Sequence, residues 1–114
     1  MHTVAETPAY IASARRAGMT DAEMSLAVNI VAADPQAGDL IKGSGGCRQV
    51  RVAGRSKGKS GGYRVVTYFV GPENPVFLMA ALSKGSAANF SAAEIAIMAS
   101  AAKSLVARKP ALKA

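Results

Sequence analysis

Tyr63-Arg64-Val65-Val66-Thr67-Tyr68-Phe69-Val70, a turn at Gly71-Pro72-Glu73-Asn74-Pro75 and a second apolar run from Val76 to Leu82 form the stretch on which the fold turns. β-Branched and aromatic residues dominate the first run, and both runs are apolar on alternate faces, which predicts two central strands. The short connection makes them antiparallel, because parallel neighbours need a crossover of a dozen or more residues. Upstream, Val50 and Val52 alternate with polar neighbours in Cys47-Arg48-Gln49-Val50-Arg51-Val52-Ala53, which predicts a third strand. Between it and Tyr63, Gly54-Arg55-Ser56-Lys57-Gly58-Lys59-Ser60-Gly61-Gly62 has no core-forming residue and reads as a long, mobile hairpin loop. Gly43-Ser44-Gly45-Gly46 reads as a flexible lead-in to the third strand.

Helix signals flank this meander. Thr7-Pro8 reads as an N-cap with proline at the first helical position, and Gly18 as the stop of a helix over 8–17. Thr20-Asp21-Ala22-Glu23 is a capping box opening a helix over 20–33, which Asp34-Pro35 ends. Only Gly18 and Met19 separate the two, so they form a hairpin whose apolar faces pack on a common surface. Ser91-Ala92-Ala93-Glu94 opens a last helix with Ile95, Met98, Ala102 and Leu105 along one side. Thr3 to Glu6 is a candidate short edge strand. The expected fold is α+β: a small twisted antiparallel sheet with an N-terminal helical hairpin and a C-terminal helix, one domain over 1–107 and a flexible tail over 108–114.

The chain has 114 residues, half of them hydrophobic, with one cysteine, one histidine and no tryptophan. That suffices for one core, and neither an internal disulfide nor a zinc site of about four ligands is expected. No cofactor is expected either. The first residues carry no basic leader or continuous apolar run, so a cytoplasmic protein without a membrane partner is expected. Formal net charge is +7, from 14 Lys and Arg against 7 Asp and Glu. Seven of those bases, Lys42, Arg48, Arg51, Arg55, Lys57, Lys59 and Arg64, fall within 23 positions that hold no acid. Their side chains are expected to converge on one edge of the sheet as a phosphate-binding surface.

Several chemistries are disfavoured. Gly54 to Ser60 lacks the spacing of a nucleotide-binding phosphate loop and lies between antiparallel strands. His2 reads as a disordered terminal residue, and the acids are scattered away from the basic segment, which argues against imidazole and magnesium-dependent nuclease sites. Lysines and arginines remain. They suit metal-free RNA cleavage, in which the 2′-hydroxyl loses a proton, the phosphorane oxygens are stabilised and the leaving oxygen gains a proton. Tyr63 and Tyr68 are candidates for base stacking, but strand aromatics more commonly belong to a core.

The stretch from Gly38 to Ala53, followed by Lys57-Gly58-Lys59-Ser60-Gly61-Gly62-Tyr63-Arg64-Val65-Val66-Thr67-Tyr68-Phe69, resembles the HigB-like branch of the RelE/ParE toxin superfamily. The resemblance continues through Leu78 to Lys84 and Asn89-Phe90-Ser91. It implies the RelE/ParE-like architecture and the toxin role of a type II toxin–antitoxin system, commonly a ribosome-dependent mRNA endonuclease. Carried over by motif position, it assigns Arg64 to phosphate stabilisation and Lys57 or Lys59 to proton transfer. Arg48, Arg51 and Lys84 take backbone positioning or charge stabilisation, and Arg55 belongs to the same RNA-facing group. Expected partners are a cognate helix-turn-helix antitoxin, the ribosome and mRNA, and operator DNA through the antitoxin. The chain departs from its relatives in having Leu82-Ser83 before Lys84, where a tyrosine or other polar side chain is common, and Asn89-Phe90 in place of an Asp-Leu pair. The alternatives are a non-cleaving nucleic-acid-binding or regulatory protein of the same fold, and a gyrase-directed toxin.

Overall fold

Helix starts form where the sequence places its caps, and a computed structural model describes residues 2–54, 62–83 and 90–113. The elements run β1 (Val4–Glu6), α1 (Pro8–Ala17), α2 (Asp21–Ala33), β2 (Asp39–Leu40), β3 (Cys47–Val52), β4 (Tyr63–Phe69), β5 (Val76–Ser83) and α3 (Ala92–Lys113). The Thr7 hydroxyl accepts from Tyr10 N at 3.1 Å, and Gly18 ends α1 in the left-handed region at φ 87°. Both arms of the Thr20–Glu23 box are made, at 2.8 and 3.1 Å, as are those of Ser91–Glu94, at 2.7 and 3.1 Å. Each box satisfies two backbone N–H groups that the first helical turn would leave orphaned.

The sheet has the order β1-β5-β4-β3-β2. The β3–β4–β5 meander is antiparallel as expected. The sheet is mixed overall, because β1 joins the far edge parallel to β5, with Val4 opposite Val76 and Glu6 opposite Leu78. Thr7 fixes this geometry by donating its N–H and its hydroxyl to Leu78 O, at 3.2 and 2.8 Å. The chain then crosses the sheet through α1 and α2 and re-enters at the opposite edge as β2.

Residues 43–46 are a tight turn rather than a flexible lead-in. Ser44 Oγ donates to Ile41 O at 2.6 Å and accepts from Cys47 N at 3.0 Å, and Ile41 N donates to Cys47 O at 2.8 Å. Gly43, Gly45 and Gly46 have φ of 82°, 76° and 112°, so the glycines supply left-handed backbone to a defined reversal instead of slack. The turn creates the two-residue β2, too short for an alternating pattern to announce. His2 is also tied down rather than disordered: its N–H donates to Ala32 O at 2.8 Å, its ring meets Phe69 edge-on at 5.0 Å, and Nε2 bonds Asn74 O.

Each face of the sheet has its own core. On one face Tyr10, Ala14, Met24 and Val31 of the helical hairpin pack with Val50, Val52, Val65 and Leu78. On the other, Ile95, Met98, Ala102 and Leu105 of α3 pack over Cys47, Val66 and Met79. The central strand is therefore buried on both sides from Tyr63 to Thr67, which explains its richness in large residues. A bulge at Met79, where Val66 pairs with Ala80 but Thr67 with Leu78, turns Met79 and Ala80 both toward α3. The α3 backbone continues to Lys113, through the stretch assigned from sequence to a tail. Pro110 removes one helical hydrogen bond, and the Ala, Leu and Lys that follow favour helix.

Candidate nucleic-acid interface

Strand register decides which basic side chains can act together. Arg51 of β3 pairs with Arg64 of β4, and Arg64 pairs with Leu82 of β5. Side chains alternate along a strand, so Gln49 and Arg51 share the α3 face with Arg64, Val66 and Leu82. Arg48 falls on the opposite face, where its Nη1 donates to Gly38 O at 3.2 Å. Lys42 lies beyond the other end of β3, beside the Ser44 turn. Among the described residues, the bases of this segment therefore do not all share one face of the sheet. A three-residue step, odd in a period of two, splits Arg48 from Arg51.

Arg64 is 7% exposed, and its guanidinium lies 5.2 Å from the centre of the Phe90 ring. Arg51 opposite it is exposed. Directly opposed like charges on one face of a sheet repel, so the pair is a place where an anion would be stabilising. Nearby on the same face, Gln49 Oε1 is buried without a hydrogen-bond partner. Lys57, Lys59, Arg55 and Lys84 lie outside the described residues. The strands that lead to them end beside the arginine pair: Ser83 is opposite Tyr63, and Gly54 closely approaches Gly62.

The tyrosines belong to cores. Tyr63 is 3% exposed on the helical-hairpin side, and its hydroxyl donates to Gly18 O at 3.2 Å. Burial, and after it the hydrogen bond and charge of the buried Glu23, push its phenol up from its ordinary value. Tyr68 packs half-buried in the α3 core. Cys47 is a buried free thiol, pushed up by burial against an opposing hydrogen bond from Ser44, so it is not poised as a nucleophile. Among the described residues no three His, Cys, Asp or Glu side chains gather as a metal site would require, and no helix is long and apolar enough to cross a membrane. The contact that sequence reasoning missed is that of Phe90 with Arg64, since Phe90 reads only as part of the entry to the last helix and as half of the Asn89-Phe90 departure. No local pattern announces a contact between positions 64 and 90.

The family model for the RelE toxin of the RelE/RelB toxin–antitoxin system matches residues 4–112. Among solved structures, an arginine-to-alanine double mutant of the E. coli toxin RelE in the free state aligns with a TM-score of 0.53. It shares 17% identity, over 86% of this chain and 93% of that one, a likeness of fold. With the family match spanning both cores and all the strands and helices described, the chain belongs to the RelE toxin family of toxin–antitoxin systems.

Proposed function

We propose that this chain is a HigB-like toxin that halts translation by cutting mRNA on the ribosome. The observation that carries the reading is the Arg51–Arg64 pair, two arginines directly opposed across β3 and β4 on one sheet face. In the proposed reaction the 2′-oxygen of a ribose attacks the adjacent phosphorus, the bond to the 5′-oxygen breaks, and a 2′,3′-cyclic phosphate and a 5′-hydroxyl result. Arg64 stabilises the extra negative charge on the phosphorane oxygens, where a guanidinium held in a largely buried position needs little reorganisation. Lys57 or Lys59 takes the proton from the 2′-hydroxyl or gives one to the 5′-oxygen, since a lysine crowded by cations exchanges protons nearer neutrality. Arg51, Arg55 and Lys84 hold the RNA backbone. Arg48, bonded to Gly38 on the other face, contributes to attraction over distance rather than to the cleavage pair.

The partner that restrains such a toxin is a cognate antitoxin, expected to be a helix-turn-helix protein that also binds operator DNA, and the place of action is the cytoplasm. Expression without that partner tests the reading. Growth arrest with cuts in translated messages, abolished by Arg64→Ala, is expected. Arrest with intact transcripts would overturn the nuclease assignment, and loss of DNA supercoiling in the same cells would favour gyrase as the target.

A further inference from the structure

We infer that Phe90 is a positioning residue for Arg64, its ring holding the guanidinium beside Arg51 so that both meet one RNA phosphate. The inference rests on the proposed reading that Arg64 meets RNA, but it concerns a contact that no sequence motif marks. A guanidinium 5.2 Å from a ring centre lies within the range of cation–π attraction, and Arg64 is 7% exposed, where water competes least. That attraction opposes the repulsion from Arg51, which by itself would push the two groups apart.

The ring is itself held. Phe90 immediately precedes Ser91, the cap of α3, and packs in the same core as Ile95, the fourth residue of that helix. This is the spacing of a hydrophobic staple, which fixes the direction from which the chain enters a helix. The Ser91–Glu94 box locks the same turn, at 2.7 and 3.1 Å. Leu82, opposite Arg64 on β5, closes the row with an apolar side chain, so the ring is the aromatic surface on which the guanidinium rests. A leucine at position 90 would fill the core but present no π face.

The test combines kinetics with side-chain NMR. In single-turnover cleavage of mRNA on programmed ribosomes, Phe90→Leu is expected to slow the chemical step by roughly three- to thirtyfold with little change in half-saturation, and Phe90→Trp to retain the rate. In the free protein the Arg64 Nε–H signal is expected to be shifted by the ring current and to move to its ordinary position in Phe90→Leu. Wild-type cleavage by a folded Phe90→Leu variant would overturn the inference. So would an unshifted Arg64 signal in the wild-type protein, a measurement that needs no variant to fold. The reading beneath it fails differently: Arg64→Ala would then cleave as well as wild type.

Discussion

Removing the charge of Arg51 is expected to stabilise the free protein. Arg51 and Arg64 are direct cross-strand partners, with one exposed and the other 7% exposed. Side chains so placed leave the backbone with Cβ atoms about 4.5–5.5 Å apart, and opposed like charges cost roughly 0.2–1 kcal/mol, kept small here by solvent around Arg51. Arg51→Gln removes that repulsion while keeping the length of the stem. For a domain of this size about 1 kcal/mol moves the midpoint by about 4 °C, so thermal unfolding at about 10 mM salt should shift upward by about 1–4 °C. Arg51→Lys, which keeps the charge, should stay near wild type. Because the Debye length falls from about 30 Å to about 3 Å between 0.01 and 1 M salt, the gain should shrink as salt is added. Inorganic phosphate should raise the midpoint of wild type more than that of Arg51→Gln. A lower midpoint for Arg51→Gln at low salt, or a gain unchanged at 1 M, would refute the paired-arginine reasoning.

Neutralising Arg51 should also shallow the salt dependence of RNA binding by about one unit, whereas Arg48→Gln should change the slope much less; equal changes would dissolve the distinction between the two sheet faces. Two tyrosine-to-phenylalanine changes should differ in sign. The buried Tyr10 hydroxyl has no hydrogen-bond partner, so Tyr10→Phe should be neutral or stabilising in urea unfolding, while Tyr63→Phe removes the one O–H that Gly18 O and Glu23 share and should cost about 1–3 kcal/mol. Burial, with Glu6 adding to it, pushes Tyr10 up to about 12, and Tyr63 is displaced the same way. Folding therefore favours the protonated phenols: their contribution is complete below the ordinary tyrosine value near 10 and falls as pH rises above it, by up to about 1.4 kcal/mol per pH unit for each group, for Tyr10 until about pH 12. Alkaline melts of Tyr10→Phe should show a flatter decline. Gly38→Ala should lower the midpoint strongly, since Gly38 has φ 89° and a Cβ there would lie 2.2 Å from Gln49 O; an unshifted melt would show that the turn adapts.

The fold was legible because its signals are local. Thr7-Pro8, Thr20–Glu23 and Ser91–Glu94 each cap a helix within four residues, and the valine-rich runs of β4 and β5 are joined by a turn too short for anything but an antiparallel pair. What escaped was nonlocal or too short to repeat. The parallel seat of β1 depends on Thr7 reaching Leu78, β2 has two residues, and the Ser44 turn is built from glycines that composition alone reads as slack.

The candidate site divides along the same line. Sequence by itself determined the charge, the acid-free run from Lys42 to Arg64, the strand alternation and the helix caps, because each depends on residues near one another along the chain. Tertiary structure alone decided that Arg51 stands opposite Arg64, that Arg48 is turned away to Gly38, and that Phe90 comes under the Arg64 guanidinium. Those relations follow from strand register and from the docking of α3 across the sheet. Packing of both faces sets them, and it brings together positions that no local spacing links.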